Sequence, residues 1–191
     1  MPLPQNPKRR KSKRDKGCIQ LYYGDGKGKT TAAIGQIVRC VGHGFKVLVY
    51  QFLKEPTSGE VSVIRSLPGV EYIPNEGPIP FMFNLTPEQQ EFYKQRFQKA
   101  FDEVRQKFFT GEYDLVVLDE VIDAYNLGVV PQEQVIEMME KKPEGTELVI
   151  TGHDYGMDIS ALTDRADYVT KFVKEKHPFD LGMGCRKGIE E

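Results

Sequence analysis

The feature that most constrains this chain is a glycine- and lysine-rich loop between an apolar run and a helix signal. The run Cys18–Tyr23 predicts a strand, and Gly24-Asp-Gly-Lys-Gly-Lys-Thr-Thr31 follows it directly. Glycines let the backbone adopt positive φ and point several N–H groups at one anion. A helix predicted from Thr30 directs its positive end to the same point. This arrangement favours an α/β fold with a polyphosphate-binding loop.

The side chains of the loop suit a nucleoside triphosphate. Lys29 adds a full positive charge, and the Thr30 hydroxyl can hold Mg²⁺. The usual spacing places the first glycine at position 23, where this chain has Tyr23, so the loop is one residue short. A Gly/Lys-rich surface turn is the alternative interpretation. The predicted triphosphate-binding residues are Gly24, Asp25, Gly26, Lys27, Gly28, Lys29, Thr30 and Thr31, and Lys29 is also predicted to be catalytic.

A second apolar run, from Leu115 to Leu118, ends in the acidic pair Asp119 and Glu120. Buried parallel strands read as continuous Val/Leu runs, and α/β proteins place ligands at the carboxyl ends of such strands. The two carboxylates and Thr30 are therefore the predicted ligands of Mg²⁺, with Mn²⁺ as a substitute. The alternative is a strand followed by a solvated helix start, where acidic residues are favoured.

The rest of the pattern alternates strands with helices. It predicts an α/β, P-loop NTPase-like fold: a mostly parallel central sheet of about six strands with helices on both faces. A single domain over residues 17–191 accounts for this pattern, and residues 1–16 are expected to form a flexible basic arm. Strands are predicted at 18–23, 45–51, 70–73, 115–118, 147–151 and 168–173, and helices at 30–40, 87–110, from 120, and 131–141.

Two predicted helices carry buried faces, and one carries a start signal. The segment Thr86–Gln89 is a capping box with proline at the first helical position. Apolar residues at helical spacing predict which side of each helix faces the core. The predicted faces are Ala32, Ala33, Ile37 and Val41 in the first helix, and Phe92, Phe97, Phe101, Val104 and Phe108 in the helix over 87–110.

The charge is uneven, although the chain carries only −2 overall. Residues 8–16 hold seven Lys or Arg and one Asp, a net charge of +6, so the rest of the chain carries −8. An acidic body disfavours nucleic acid as a partner, and the basic segment is either a solvated tail or a flap over an anionic ligand. Three distant cysteines favour neither disulfides nor zinc, and no run is long enough to span a membrane. A cytoplasmic protein without a membrane partner is therefore expected.

These motifs together resemble the ATP:corrinoid adenosyltransferases of cobalamin biosynthesis, over about residues 16–190. Many motifs in one order indicate the family more specifically than the glycine loop alone. The short glycine loop is also the form that this family has. The matching motifs are Gly24 to Ala33, Arg39 before Gly42-His-Gly44, Gln51-Phe-Leu-Lys54, Gly59-Glu60, Leu118-Asp-Glu120, Thr151-Gly152, Ala166-Asp-Tyr-Val-Thr170, Lys176-His-Pro-Phe179 and Gly188-Ile-Glu190.

The resemblance implies a reaction in which cobalt(I) of a reduced corrinoid attacks C5′ of ATP and triphosphate leaves intact. Such a reaction needs aligned reactants and a stabilised leaving group more than acid–base help. ATP is expected to lie reversed in the loop relative to ordinary ATPases. Arg39 is the further implied ATP-binding residue, and its alternative is a solvated helix arginine. A homodimer is implied as well, and a flavoprotein is a compatible electron donor.

The chain departs from the family pattern at two places. The family uses a Phe and a Trp, two residues apart, to strip the axial ligand from cobalt(II), whereas this chain has Phe81-Met82-Phe83 and no Trp. Phe81 and Phe83 are assigned as the catalytic wedge; the alternative is that they fill the core under a proline-rich loop. His153 stands where the family has Arg after Thr-Gly, which leaves the role of this position open.

Three other functions remain as alternatives. A P-loop ATPase or kinase-like phosphotransferase would use Glu120 to activate water and would release ADP. A corrinoid carrier or sensor is disfavoured, because the chain has no Asp-x-His-x-x-Gly motif. Nucleic-acid binding rests only on residues 8–16 and would depend steeply on salt.

Overall fold

The computed structural model describes residues 16–77, 79 and 85–190. The predicted basic arm, apart from Lys16, and the two wedge residues Phe81 and Phe83 lie outside the described residues. The strands are β1 Ile19–Tyr23, β2 Val47–Gln51, β3 Val70–Ile73, β4 Leu115–Asp119, β5 Glu147–Gly152 and β6 Tyr168–Lys171. The helices are α1 Lys29–Gly42, α2 Gly59–Ser66, α3 Pro87–Phe109, α4 Val121–Asn126, α5 Gln132–Glu140 and α6 Ser160–Thr163, and a short 3₁₀ helix spans Pro178–Leu181.

The strands of the described chain form one sheet in the order β3-β2-β4-β5-β1-β6. Every pairing in it is parallel, which confirms the predicted α/β class and sheet. Because parallel strands end at the same edge, the glycine loop after β1 and the acidic pair at the end of β4 share one side of the sheet. The end of β5 lies between them, because β5 pairs with both β1 and β4.

Helices cover both faces of this sheet, as predicted. On one face the helices α3, α4 and α5 pack against alternate strand residues such as Leu48, Tyr50 and Leu118. On the other face α1 and Ile64 of α2 pack against the intervening residues, among them Val49 and Val117. Successive strand residues point to opposite faces, so β2 and β4 are buried along their whole length.

The helices differ from the predictions in detail. In α1 the buried residues are Lys29, Ala33, Ile37 and Val41, while Ala32 is exposed, so its predicted burial is wrong. Four-residue spacing selects one stripe of a helix, and Ala32 lies one position outside that stripe. The short helices α2 and α6 were not predicted, because one or two turns carry too few apolar residues to show a period. No helix of the described residues is long and apolar enough to cross a membrane.

Helix α3 begins as predicted. The Thr86 hydroxyl accepts from the Gln89 N–H at 3.3 Å, and the Gln89 side chain accepts from the Thr86 N–H at 2.9 Å, which completes the capping box. Phe97, Phe101, Val104 and Phe108 form the buried stripe. Phe92 is 62% exposed, so its predicted core position is wrong. It precedes Phe97 by five residues, and that spacing turns it away from the sheet.

We expect Phe101→Ala to lower the free energy of unfolding by about 3–5 kcal/mol, because it removes a fully buried ring and leaves a cavity. The ring of Phe101 contacts that of Phe52 with centroids 5.3 Å apart. Phe92→Ala is the matched control on the same helix, with an expected change within about 0.5 kcal/mol. Urea denaturation of both variants measures the difference. Equal losses would contradict the assigned helix face.

Candidate active site

The loop between β1 and α1 leaves the start of the helix open to an anion. Gly28 is the N-cap residue, with φ of 116°, no side chain caps the helix, and its first turn contains no acidic residue. The first N–H groups of a helix have no partner within the helix. The positive end of α1 and these N–H groups therefore point out of the loop together, as an anion-binding site requires.

The chain after β6 holds the loop in this shape. The Gly26 N–H donates to Phe172 O at 2.8 Å, and the Phe172 N–H donates to Tyr23 O at 2.7 Å. A Cβ at Gly24 or Gly26 would collide with the backbone at Phe172, which explains the need for glycine at both positions. The Asp25 carboxylate accepts from the Lys174 N–H at 3.0 Å, and this bond lowers the pKa of Asp25. Asp25 thus joins the loop to the segment after β6.

Lys29 is buried beneath the loop, with 8% of its surface exposed. Its ammonium donates to Gly24 O at 2.7 Å and to Gly26 O at 2.9 Å, and it lies 3.4 Å from the Nε2 atom of His153. Burial lowers the pKa of Lys29, and carboxylates nearby, Asp123 first among them, oppose that shift. A lysine held by backbone carbonyls can move to a stronger acceptor, such as a phosphate oxygen, when one arrives.

The Asp119 carboxylate accepts hydrogen bonds from side chains of several elements. Its side chain is only 2% exposed. It accepts from Thr30 Oγ1 at 3.1 Å, from Thr151 Oγ1 at 2.6 Å and from Gln51 Nε2 at 3.0 Å. Thr30 and Asp119, two of the three predicted Mg²⁺ ligands, are thus in direct contact, and Gln51 and Thr151 join them from the ends of β2 and β5.

Lys54 places a positive charge among these oxygens. Its ammonium lies 2.8 Å from Thr30 Oγ1, 3.0 Å from Asp119, 3.5 Å from Glu60 and 3.9 Å from Glu120. Burial opposes the charged amine, but Asp119 and Glu120 outweigh burial and raise the pKa of Lys54. Sequence reasoning gave Lys54 no role in the site, although it follows a parallel strand at the ligand-bearing edge.

Glu120 adopts a left-handed backbone conformation with φ of 60°, which few residues other than glycine take up. Its N–H donates to Thr151 Oγ1 at 3.0 Å, and this bond anchors the strained residue to β5. Burial and the adjacent Asp119 raise the pKa of Glu120. Strained residues held by their surroundings cluster at functional sites.

A cleft of about 600 Å³ is lined by Lys29, Thr30, Lys54 and Glu120, whereas Asp119 and Gly24 are not among its lining residues. The predicted residues that line it are Asp25, Gly26, Lys27, Gly28, Lys29, Thr30, Thr31 and Glu120. One wall was not predicted to belong to the site: it is formed by His177, Cys185, Gly188, Ile189 and Glu190 near the end of the chain. A larger cavity of about 740 Å³, between α3 and residues 126–132, contains none of the predicted site residues.

Arg39 does not reach this cleft within the chain. It lies in the last turn of α1, ten residues after Lys29, or about 15 Å along the helix. It lines a separate pocket with Asp114 and Glu147, at the opposite edge of the sheet. Its assignment to ATP therefore remains a prediction without support from the described residues.

Fold and site together define an α/β protein with an open helix N-terminus, a buried lysine and a buried carboxylate at one edge of a parallel sheet. A family model described as "ATP:corrinoid adenosyltransferase BtuR/CobO/CobP" matches residues 15–190. The chain belongs to this family, and it is an enzyme of the transferase class.

Curated relatives agree with the family model. The chain is 32% identical over 178 residues to a corrinoid adenosyltransferase of Escherichia coli K12. This alignment covers 92% of this chain and 86% of the relative. A corrinoid adenosyltransferase of Pseudomonas aeruginosa is 31% identical, and the alignment covers 92% of this chain and 84% of that relative. A solved structure of an uncharacterized protein from Pyrococcus horikoshii gives a TM-score of 0.41 at 18% identity, over 83% of this chain and 78% of that one, too weak for a conclusion.

We expect Lys29→Ala to weaken ATP binding roughly 10- to 100-fold, because charge-assisted bonds to phosphate are lost. Isothermal titration calorimetry measures the affinity, and thermal melting checks that the variant folds. Arg39→Ala is the control at the far end of the same helix, and we expect little change. A loss with Arg39→Ala as large as that with Lys29→Ala would place Arg39 at the nucleotide and contradict its assignment to the far pocket.

Proposed function

We propose that this chain transfers the 5′-deoxyadenosyl group of ATP to the cobalt(I) of a reduced corrinoid and releases triphosphate. The observation that most supports this is the open N-terminus of α1 beside Lys29, in a member of the corrinoid adenosyltransferase family. The relatives named corrinoid adenosyltransferases support the same two substrates.

The chemistry of the loop suits this transfer. As the bond between cobalt and C5′ forms, the bond between C5′ and its oxygen breaks, and the electron pair stays on the triphosphate. Negative charge therefore grows on the leaving group, where the N–H groups of the loop, the positive end of α1 and Lys29 would stabilise it. Cobalt(I) is a strong nucleophile, so the protein's main contribution is alignment and charge stabilisation.

Mg²⁺ is part of this proposal, and the residues present fit it. Oxygens of Thr30, Asp119 and Glu120 lie within 3.9 Å of the Lys54 ammonium, and Mg²⁺ prefers such oxygen ligands. The ammonium of Lys54 contacts the same oxygens, which indicates that this position accepts positive charge. Lys54 would turn toward the phosphates when Mg²⁺ arrives with ATP. Bound Mg²⁺, or Mn²⁺ in its place, would neutralise charge on the triphosphate.

We expect Asp119→Asn and Glu120→Gln each to raise the Mg²⁺ concentration needed for half-maximal turnover, because each removes a charged ligand. Asp114→Asn is the matched control, because Asp114 directly precedes the first residue of β4, and it should leave this concentration unchanged. Turnover measured across a Mg²⁺ series gives the answer. An unchanged requirement in both site variants would make the acidic pair structural.

The test of the function supplies ATP, Mg²⁺ and chemically reduced cobalamin to the purified chain. A light-sensitive alkyl-cobalt spectrum and stoichiometric triphosphate are the expected products. ADP and phosphate without an alkyl-cobalt product would instead identify an ATPase, and a phosphorylated acceptor would identify a phosphotransferase. Glu120 is the residue that such a hydrolase would use, but the family match does not favour that alternative.

The proposal gives Phe81 and Phe83 the role of an apolar wedge on one face of the corrinoid. A wedge excludes water and the lower ligand, so that cobalt(II) accepts an electron more readily. We expect Phe81→Ala and Phe83→Ala to lose activity when the corrinoid is supplied as cobalt(II) with a biological reductant. Both variants should keep most of their activity when the corrinoid is supplied already reduced to cobalt(I).

Phe92→Ala is the matched control for the wedge, because Phe92 is exposed on α3. Activity in both assays and the melting temperature are measured for all three variants. Equal losses in both assays, together with a lowered melting temperature, would show that Phe81 and Phe83 only pack the core.

The proposal also includes a homodimer and a reduced flavoprotein as the electron donor, both of which follow from the family resemblance. Sedimentation equilibrium of the purified chain tests the first. Replacing the chemical reductant with a reduced flavodoxin-type protein in the transfer assay tests the proposed electron donor.

A further inference from the structure

A buried carboxylate beside the cleft holds a histidine in place. The side chain of Asp123, at the start of α4, is 4% exposed, whereas that of His153, after β5, is 41% exposed. Asp123 Oδ2 accepts from the His153 backbone N–H at 2.8 Å, and Asp123 Oδ1 lies 3.2 Å from His153 Nδ1. Both the backbone and the ring of His153 are thus fixed to one carboxylate.

Two neighbours fix the ring further. The Tyr155 hydroxyl donates to Asp123 Oδ1 at 2.5 Å, and its ring stacks on that of His153 with centroids 5.5 Å apart. Gly152 allows the close approach, because a Cβ there would collide with the Asp123 carboxylate. Tyr155 has φ of 51°, so the chain accepts an unusual backbone conformation at this point. Such an arrangement leaves the ring of His153 few alternative orientations.

The orientation decides which ring nitrogen faces the cleft. An ionised carboxylate only accepts hydrogen bonds, so the proton of a neutral His153 ring lies on Nδ1, toward Asp123. The Nε2 atom then points at the Lys29 ammonium, 3.4 Å away. The other acceptors of Lys29 are carbonyls of the glycine loop. A phosphate oxygen that replaces Nε2 as an acceptor of Lys29 would therefore lie beside the His153 ring.

We infer that His153 is a second side chain that binds the triphosphate of ATP, and that it takes up a proton when it does so. The incoming phosphate replaces Nε2 as the acceptor of Lys29, and the protonated ring then donates from Nε2 to a phosphate oxygen while Nδ1 still donates to Asp123. An imidazole ring can accept a proton, so this contact should depend on pH.

The charges around His153 agree with this role. Lys29 faces it from α1, Asp123 from α4, and Tyr155 from its own loop; Glu120 and Thr151 line the same cleft. Asp154 follows His153 directly, but it is not among the described residues that line the cleft. Asp123 compensates the positive ring, and a triphosphate supplies the further negative charge that Lys29 and His153 together require.

The test measures the affinity for inorganic triphosphate by calorimetry, without corrinoid, at about pH 6 and about pH 8.5. His153→Asn places an amide near the Nδ1 position and loses the donor in the cleft. His153→Gln keeps a donor near the Nε2 position that cannot titrate. His43→Asn is the control, because His43 lies at the far end of α1, away from the cleft.

We expect His153→Asn to bind triphosphate about tenfold more weakly than the unchanged chain at the lower pH, and less than threefold more weakly at the higher pH. Because phosphate itself titrates near pH 6, the ratio between variant and unchanged chain at each pH is the measured quantity. Binding enthalpies in buffers of different ionisation enthalpy should show proton uptake that both His153 variants lose and His43→Asn keeps.

A ratio that stays constant with pH, or proton uptake that survives in both His153 variants, would overturn the inference. Unchanged melting temperatures separate these results from a folding defect, and the glutamine variant provides the second check if the asparagine variant is unstable. The choice of triphosphate as the ligand of His153 rests on the proposed function, but the experiments can reject the function and the histidine contact independently. Triphosphate binding with the expected proton uptake and no alkyl-cobalt product would reject the function and keep the histidine contact.

Discussion

The carboxylate of Asp119 is the interaction on which the rest of the site depends. It is almost fully buried at the end of β4, and it binds side chains from the start of α1, from the end of β2 and from the end of β5. A buried charge is costly unless it is paired and hydrogen-bonded, and Lys54 supplies the pairing. The ends of β2, β4 and β5, the start of α1 and the Lys54 ammonium are therefore held in one arrangement by a single acidic group.

The glycine loop depends on a part of the chain far away in sequence. The Gly26 N–H is bonded to Phe172 O, so it does not point at an incoming phosphate. The loop is one residue shorter than usual, and the segment after β6 occupies the space beside it. Asp25 strengthens the same contact through the Lys174 N–H. The shape of the loop is thus a property of β1 and β6 together, and local sequence alone does not determine it.

This dependence on distant contacts explains what the sequence could and could not predict. The parallel sheet, the capping box of α3 and the pairing of Thr30 with Asp119 follow from local patterns and from the rule that parallel strands end at one edge. The burial of Ala32 and Phe92 was predicted wrongly, because the core side of a helix is chosen by what packs against it. Lys54 belongs to the matching motif Gln51-Phe-Leu-Lys54, but the motif gave it no role, and only its contacts show that it belongs to the site.

The hydrogen-bond donors of the cleft are also held by contacts within the chain. In the described chain Lys29 is bonded to loop carbonyls, Lys54 to carboxylates and the His153 ring to Asp123. Each donor therefore has an internal partner and is held close to the position where phosphate would bind, so little reorganisation is needed when the ligand arrives. Carbonyls and a neutral ring nitrogen are weaker acceptors than a phosphate oxygen. If triphosphate and Mg²⁺ bind as proposed, the exchange of partners would be favourable at Lys29, whereas at Lys54 the Mg²⁺ would have to take over the carboxylates. Metal and nucleotide should for this reason bind with positive coupling, each completing the charge balance that the other disturbs.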